Sequence, residues 1–323
     1  GVDDIRVRWS DPPFNSFSGP AIVASGVKDD DIGALISLPV QGKIGILWSN
    51  QNTKRFGFKT HDNGSDPSVW SEDESPASQN ALNIGRGLSD DHLNMKVTSD
   101  GTLYCAVKTG YDRIGYPLVS LLRRHPGGNW DDLHEVSQTG TRPIVVINEK
   151  ARKLKVIYSA AEGGSDIVYK ESPLGELSFG PAQTILQGGY DNATSAKDSY
   201  DEDIVVIASN NDIVVGIRGI DGVEPDAPEL VSPGDQAVNE HNLLVWKSAD
   251  RAATYNVQVS TSPTFNPAFI NASEITETSF KTAELTNNTT YYWRVAAQNS
   301  YGTSEWSTTC SFIGRSNVPG PEL

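Results

Sequence analysis

Residues 88–186 decide the fold, because they contain two consecutive copies of one short-stranded unit. The first copy contributes three β-rich runs: LNMKVT (93–98), LYCAVKT (103–109) and YPLVSLLRR (116–124). The second copy contributes four: IVVINEK (144–150), LKVIYSA (154–160), DIVYKES (166–172) and FGPAQTIL (179–186). Short β-rich runs bounded by Gly, Asp, Asn and Pro predict strands and hairpins, and their recurrence marks an internal repeat. The sequence therefore predicts repeated four-stranded antiparallel units.

The spacing of these units points to one architecture. The residues that precede each innermost strand are Asp31, Asp91, Arg142 and Asn192, which lie 60, 51 and 50 residues apart. Repeats of four short strands at this spacing are typical of β-propeller blades. We therefore predict an all-β chain in which residues 1–222 form a β-propeller of four-stranded antiparallel blades.

The first residues match the middle of a blade rather than its beginning. Residues 4–10 and 17–21 match residues 166–172 and 179–182 of the central repeat. A complete blade is then predicted from Asp31 onwards, with residues 69–71 as its outer strand. Either the opening strands close a small four-bladed ring, or the chain holds part of a larger propeller. We favour the larger propeller, truncated at the N-terminus.

A second module has a different pattern. Residues 226–314 resemble a bacterial fibronectin type III domain along their whole length. That family folds as a two-sheet β-sandwich with a tyrosine corner, in which a tyrosine hydroxyl bonds back to the main chain. The resemblance implies strand and corner positions for Trp246, Tyr255, Leu285 and Tyr291. It implies a fold and is nearly silent on function, because such modules serve many purposes.

The predicted boundaries follow from these two patterns. Residues 223–228 form a short proline-bearing linker, and residues 229–315 form the fibronectin type III domain. Residues 316–323 repeat the sequence around residues 224–230 at an offset of 93 residues. Either another fibronectin-like module begins there, or a proline-rich linker matches by chance.

Composition restricts the class of protein. The chain has 323 residues and a formal net charge of −15, which disfavours nucleic acids and anionic membranes as partners. Its hydrophobic fraction is 37%, and the absence of an apolar run near 18 residues argues against a membrane span. The two cysteines, Cys105 and Cys310, fall in different predicted domains, so we expect neither a disulfide nor a cysteine metal site. An extracellular location, secreted or at the cell surface, suits this acidic composition.

The predicted binding site lies where the inner strands begin. In propellers, the loops before these strands open towards the central channel, where ligands usually bind. The candidate ligand-binding residues are Asp30, Asp31, Asp90, Asp91, His92, Arg142 and Asn192. The four aspartates could hold Ca²⁺, which prefers oxygen ligands, or could bind sugar hydroxyls beside an aromatic ring such as Tyr111, Tyr116, Trp48 or Tyr158. The alternative is that each aspartate pair only caps its own turn.

An enzymatic interpretation depends on His92, Tyr111 and Arg142. This set loosely resembles the residues of propeller polysaccharide lyases, in which basic side chains neutralise a uronate and a His or Tyr takes the proton. Residues 99–104 echo the Asp-box turn of sialidases only faintly, because the tryptophan of that turn is missing. The discriminating feature is whether the three side chains meet in one cleft.

As a set, several segments resemble the sialidase/BNR-like propeller domains of large secreted bacterial multidomain proteins. These segments are WSNQ (48–51), DDHLN (90–94), AVKT (106–109), TRP (141–143) and NATS (192–195). The resemblance implies an extracellular setting and further blades upstream, but it attaches no activity to the chain.

Three functional hypotheses follow. The first is a non-catalytic module of an extracellular protein that binds a glycan or a protein, serves adhesion, or forms part of a filament or surface assembly. The second is a secreted polysaccharide-degrading lyase or glycoside hydrolase with its active site on the propeller. The third is a structural block that contacts identical copies, and the sequence does not separate it from the first.

Overall fold

The computed structural model describes residues 3–77, 83–200, 203–210, 212–220, 223–239, 241–299 and 301–315. Within these ranges the chain forms 25 β-strands and one short 3₁₀ helix, Pro39–Gln41, which confirms the predicted all-β class. None of the described residues forms a helix that is long and apolar enough to cross a membrane. The chain divides into two compact units, residues 1–221 and residues 222–323.

Unit 1 contains five antiparallel sheets, and in each the strands follow one another in chain order. Sheets 1 and 2 have two and three strands: β1 (Asp3–Val7) and β2 (Ala21–Val27); β3 (Gly33–Leu38), β4 (Lys43–Asn50) and β5 (Arg55–Asp62). Sheet 3 has four strands: β6 (Leu93–Val97), β7 (Leu103–Lys108), β8 (Val119–Arg124) and β9 (His134–Ser137). Sheet 4 also has four: β10 (Thr141–Asn148), β11 (Lys153–Ser159), β12 (Ser165–Pro173) and β13 (Gln183–Tyr190). Sheet 5 has three: β14 (Asn192–Ser195), β15 (Asp203–Ser209) and β16 (Val214–Ile220).

The predicted outer strand of sheet 2 does not form. Residues 69–71 lie outside the strands, although Ser71 donates a main-chain hydrogen bond of 2.8 Å to the carbonyl of Thr60 on β5. A second contact of this kind is the isolated bridge between Phe58 and Glu74. The segment therefore runs beside β5 without a continuous ladder of hydrogen bonds.

Successive sheets pack face to face, because alternate residues of each strand point to opposite sides. Each interface has its own buried apolar cluster, with examples Val23 and Trp48 between sheets 1 and 2, Phe58 and Leu103 between sheets 2 and 3, Tyr104 and Val156 between sheets 3 and 4, and Ile157 and Val206 between sheets 4 and 5. None of these clusters joins sheet 1 to sheet 5 within the described residues. The five sheets form an open stack there.

The innermost strands β3, β6, β10 and β14 lie side by side and enclose a narrow cavity of about 160 Å³. The main-chain N–H of Val145 donates to Asn94 Oδ1 at 3.1 Å, which links β10 to β6. Lys96 of β6 donates from Nζ to the carbonyl of Ala196 at 2.5 Å. Side chains of β6 therefore connect sheet 3 to β10 of sheet 4 and to the residue that follows β14 of sheet 5.

A carboxylate cluster connects sheet 3 to sheet 4. Asp131 precedes β9, and its oxygens lie 2.5 Å from Arg123 Nε, 2.7 Å from His125 Nε2 and 3.1 Å from His134 Nε2. Arg123 also donates from Nη1 to the carbonyl of Gly175, after β12, at 3.1 Å. The cluster thus joins β8 and the β8–β9 connection to the segment that follows β12.

Unit 2 has two sheets around one core. The smaller sheet has the order β17 (Leu230–Ser232), β19 (Leu243–Trp246) and β22 (Ser279–Lys281). The larger has the order β18 (Ala237–Asn239), β25 (Cys310–Gly314), β23 (Thr290–Asn299), β20 (Thr254–Ser260) and β21 (Ile270–Ile275), and β24 (Gly302–Thr303) pairs with the end of β23. Strands β18 and β25 pair in parallel, and the other pairs are antiparallel.

The core of unit 2 contains all four residues that the fibronectin resemblance singled out. Trp246 and Tyr255 make an edge-to-face contact with ring centroids 5.4 Å apart. Leu285 and Tyr291 are buried in the same cluster. The hydroxyl of Tyr291 accepts a hydrogen bond of 3.1 Å from the main-chain N–H of Thr286, five residues upstream. A buried tyrosine thereby retains a partner for its hydroxyl.

Candidate ligand-binding cleft

A cleft of about 590 Å³ opens between sheets 3 and 4, at the end where their inner strands begin. Its lining includes both acidic and basic side chains and one tyrosine: Arg86, Asp90, Lys108, Tyr111, Asp112 and Glu162. Asp90 precedes β6, Lys108 ends β7, and Glu162 lies in the turn between β11 and β12. Because these positions lie at one end of the two sheets, side chains distant in sequence meet there.

A chain of alternating charges runs beside the cleft. Lys108 Nζ lies 2.5 Å from Glu162 and 3.5 Å from Asp90. Arg142, at the start of β10, lies 3.4 Å from Glu162 and 3.8 Å from Asp191, which precedes β14. Burial alone would raise the pKa of Glu162, but its hydrogen bond with Lys108 and the charge of that lysine lower it overall. The network therefore crosses from sheet 3 through sheet 4 to the start of sheet 5.

Asp90, Asp91 and His92 form a compact group before β6. His92 Nδ1 lies 2.6 Å from Asp91 and 3.3 Å from Asp90. Although burial opposes it, hydrogen bonding from His92 and the nearby Lys108 charge hold the pKa of Asp90 well below its usual range. Burial and the neighbouring Asp90 raise the pKa of Asp91. The two adjacent carboxyl groups therefore differ in acidity.

This group is a poor fit to calcium. One ligand atom each from Asp90, Asp91 and His92 can lie within 4.8 Å of the others. Calcium, however, takes six to eight oxygen ligands, and an imidazole nitrogen suits transition metals instead. The Lys108 ammonium, 3.5 Å from Asp90, already supplies a positive charge. The donor set favours internal ion pairs over Ca²⁺.

Asp30 and Asp31 do not join this network and instead fix their own turn. Asp31 accepts hydrogen bonds from the main-chain N–H of Lys28 at 2.7 Å and of Gln51 at 3.1 Å, and from Ser49 Oγ at 2.8 Å. Asp30 accepts from Gln51 Nε2 at 2.9 Å. These contacts correspond to the turn-capping alternative.

The remaining predicted residues are spread over the same end of the stack. Asn192 is exposed at the start of β14, where its main chain pairs with Ser209. Tyr111 is buried against Tyr116, with ring centroids 5.3 Å apart, and burial raises the pKa of its hydroxyl. Trp48 and Tyr158 are buried in sheet interfaces.

The structure does not assemble the proposed catalytic set. His92 contacts Asp90 and Asp91, and Arg142 contacts Glu162 and Asp191. No hydrogen bond among the described side chains joins His92, Tyr111 or Arg142 to one another. A general base must lie within hydrogen-bond reach of its proton, directly or through one water.

Sequence reasoning missed Arg86, Lys108 and Glu162. Lys108 ends the second strand of one repeat and Glu162 follows the second strand of the next, so aligning the repeats as blades could have placed both at this end. Arg86 lies in an irregular segment, and the sequence carries no signal for it. Its side chain is exposed at the cleft and, in the described part of the chain, makes no ion pair or hydrogen bond.

No protein-family model matches the chain, and no curated protein matches it. Among solved structures, an exo-β-1,3-galactanase from Clostridium thermocellum is similar with 10% identity and a TM-score of 0.39, over 84% of this chain. The chain spans only 65% of the length of that galactanase. The FN1–FN3 domains of chicken CNTN1 are similar with 13% identity and a TM-score of 0.26, over 88% of this chain and 98% of theirs. These identities and TM-scores are too low to assign a function, so any functional proposal must be argued from the residues of this chain.

Proposed function

We propose that unit 1 is part of a β-propeller that binds a glycan without catalysis, in the cleft between sheets 3 and 4. The observation that carries this proposal is the lining of the cleft. It alternates carboxylate acceptors with ammonium and guanidinium donors, and Asp90, Lys108 and Glu162 are held in place by one another. Sugar hydroxyls both donate and accept hydrogen bonds, so fixed groups of both kinds suit them. The volume of about 590 Å³ lies in the range of small-ligand sites.

The propeller and fibronectin type III assignments belong to the same proposal. Four-stranded meanders repeat at the spacing of propeller blades, and the inner strands surround one axis. In unit 2, the hydrogen bond from Thr286 to the Tyr291 hydroxyl supports the tyrosine corner. Such an acidic protein, carrying a binding module and a sandwich module, suits an extracellular or cell-surface role in adhesion.

The glycan-binding test compares two cleft variants with a matched control. Arg86→Ala removes a guanidinium group that makes no hydrogen bond or ion pair with the described residues. Glu162→Gln removes the carboxylate charge that pairs with Lys108 and Arg142. We expect each to weaken binding at least about tenfold, the effect of losing one charged hydrogen bond. Arg55→Ala, which removes an exposed arginine from β5, should leave binding unchanged.

The measurement is a glycan array followed by titration calorimetry on the glycans retained, with and without EDTA. We expect binding that EDTA does not abolish, because the donor set is a poor fit to calcium. Unchanged binding by both cleft variants would place the ligand elsewhere.

One observation favours a second candidate function. Asp90 and Asp91 are adjacent carboxyl groups whose pKa values move in opposite directions, a property that acid and base pairs in glycoside-cleaving enzymes share. Incubating the protein with the retained glycans tests this candidate. Release of new reducing ends or unsaturated products that Asp91→Asn abolishes would establish an enzyme.

A further inference from the structure

The cavity of about 160 Å³ between β3, β6, β10 and β14, called the axial cavity here, lies apart from the cleft. Among the described residues, the two spaces have no lining residue in common. Most of the residues that line the axial cavity are apolar, with Leu35, Met95 and Val145 as examples from three strands. Glycan binding in the cleft therefore assigns no role to this second cavity.

The charged residues of the axial cavity are basic. The described lining includes Lys96 and Lys197 but no acidic residue. The chain as a whole has 41 aspartates and glutamates against 26 lysines and arginines, so the cavity has the opposite sign to the protein. A cavity lined by one sign of charge attracts ions of the other sign. The axial cavity is therefore suited to an anion.

Lys96 places a buried ammonium group at the wall of this cavity. The residue is only 6% exposed. Its Nζ donates to the carbonyl of Ala196 at 2.5 Å, and Ala196 also lines the cavity. The ammonium group therefore lies between the innermost strands rather than in solvent.

This ammonium group has fewer partners than it can bind. A lysine carries three N–H donors, and the Ala196 carbonyl accepts from only one of them. Lys96 forms no ion pair with any residue that the structure describes. Burial lowers the pKa of Lys96; the charge of Asp198 opposes this shift, and the charge of Lys197 adds to it. A buried charge is costly unless it is paired and hydrogen-bonded.

Asn94 adds neutral donors on the same side of β6. Asn94 and Lys96 are two residues apart on this strand, so their side chains point to the same face of sheet 3. Asn94 Oδ1 accepts from the main-chain N–H of Val145 at 3.1 Å, which fixes the amide group. Its Nδ2 has no acceptor in the described part of the chain, and Asn94 lines the cavity. Charged and neutral N–H donors thus occur together there.

We propose that the axial cavity binds one small monovalent anion, with the charge and size of chloride, beside Lys96 Nζ and Asn94 Nδ2. One negative charge balances one buried ammonium group. A dianion such as sulfate would bring a second charge without a partner into a largely apolar cavity. The anion acts as a structural ligand that completes the contacts of Lys96 between sheets 3 and 5.

Bromide locates the site, because it replaces chloride and has a measurable anomalous signal. Crystals of the full chain in sodium bromide should show an anomalous peak in the axial cavity, within hydrogen-bonding distance of Lys96 Nζ. Crystals of Lys96→Met should lack this peak. A water molecule in the cavity, or bromide only on exposed residues, would overturn the proposal.

A chloride titration measures the same binding in solution. The midpoint of thermal unfolding is followed at constant ionic strength, with gluconate as the balancing anion. A ligand that binds only the folded state raises this midpoint as its concentration rises. Lys96→Met keeps the length of the side chain but removes its charge, and should weaken chloride affinity at least about tenfold. The difference in midpoint between the wild type and Lys96→Met should therefore grow with chloride concentration.

Two further variants serve as controls. Lys170→Met removes a half-buried lysine of β12 that forms no ion pair with the described residues, and it should keep the full response to chloride. Asp198→Asn removes an exposed carboxylate whose charge acts on Lys96, and it should not weaken the response.

The titration also tests whether Lys96 only ties β6 to Ala196. In that case Lys96→Met would change the midpoint equally at every chloride concentration, and the proposal would be wrong. Glycan binding in the cleft should be the same for the wild type and Lys96→Met. The two proposals can therefore fail separately.

Discussion

Asp131 shows how neighbouring donors change the acidity of one carboxyl group. Burial would raise its pKa, but hydrogen bonds with His125, Arg123 and His134 lower the pKa from 3.8 to about 2. A carboxyl group that is more acidic in the folded than in the unfolded chain stabilises the fold when it is ionised. That contribution is complete above the unfolded-state pKa and disappears as the pH falls through the folded-state pKa.

Asp131→Asn should lower the free energy of unfolding by about 1–2 kcal/mol at neutral pH, because water screens part of the full electrostatic effect. The difference from the wild type should shrink below about pH 4 and disappear only as the pH falls below the folded-state pKa of about 2, where the carboxyl group of the wild type becomes protonated. Urea unfolding at a series of pH values measures this difference. Asp212→Asn, in an exposed turn, is the control. A difference that did not change with pH would contradict the assignment.

The two aspartate pairs explain why the sequence located the site only in part. Residues 30–31 and 90–91 both place adjacent aspartates before an inner strand, so local patterns treat them alike. Their roles depend on residues that fold beside them: Gln51 for the first pair, Lys108 for the second. Such partners arise from the arrangement of strands, which local sequence does not encode. The sequence therefore predicts at which end of the five sheets the site lies, but it does not predict which residues form the site.

Sheet 2 depends on two glycines that lie under aromatic rings. A Cβ atom on Gly57 of β5 would fall 2.1 Å from the Trp48 indole of β4. A Cβ atom on Gly45 of β4 would fall 2.6 Å from the ring of Phe58. Both rings belong to the apolar clusters on either side of the sheet. On each face of sheet 2, an aromatic ring therefore packs directly against the main chain of a glycine.

Gly57→Ala should destabilise unit 1 by about 1–3 kcal/mol, because the Trp48 ring must move within a close-packed interface. Urea unfolding followed by tryptophan fluorescence measures this, and the native emission should also change as the indole shifts. Gly216→Ala in β16 is the matched control, since the added Cβ atom would lie 3.7 Å from the Ile207 side chain, an ordinary van der Waals distance. Equal effects of the two substitutions would argue against the packing explanation.

Strand prediction worked best where the repeat was complete. Sheet 4 has four strands, as its four turn-bounded runs predicted, and sheet 3 has the predicted four-stranded order, although its fourth strand, β9, lies outside the three runs that its sequence showed. In sheet 2, the predicted outer strand at residues 69–71 makes only separate contacts with β5. Alternating apolar residues report which face of a strand is buried, but they do not report whether a neighbouring segment completes the ladder of hydrogen bonds.

The molecule as a whole consists of two units with separate apolar cores. Small units with their own cores tend to unfold cooperatively and independently. Pattern and spacing predicted a boundary after residue 222, whereas the open arrangement of the five sheets depends on packing between faces that no local pattern specifies.

Tyr291→Phe should therefore shift only one of two unfolding transitions. The substitution leaves the ring in place but removes the hydroxyl that accepts the hydrogen bond from Thr286, which should cost unit 2 about 1 kcal/mol. Calorimetry should show a lower midpoint for unit 2 and an unchanged midpoint for unit 1. Gly57→Ala should have the opposite pattern. A single transition shifted equally by both variants would show that the units unfold together.

The parallel pairing of β18 with β25 has a mechanical consequence. The pair joins a strand near the beginning of unit 2 to a strand near its end, with Ala237, Val238 and Asn239 opposite Phe312, Ile313 and Gly314. Tension applied along the polypeptide through this unit pulls two parallel strands in opposite directions. Their hydrogen bonds are then loaded together in shear, rather than opened one at a time as in a peeled hairpin. The pairing of the three-residue strand β18 with β25 is thus the place where unit 2 resists stretching.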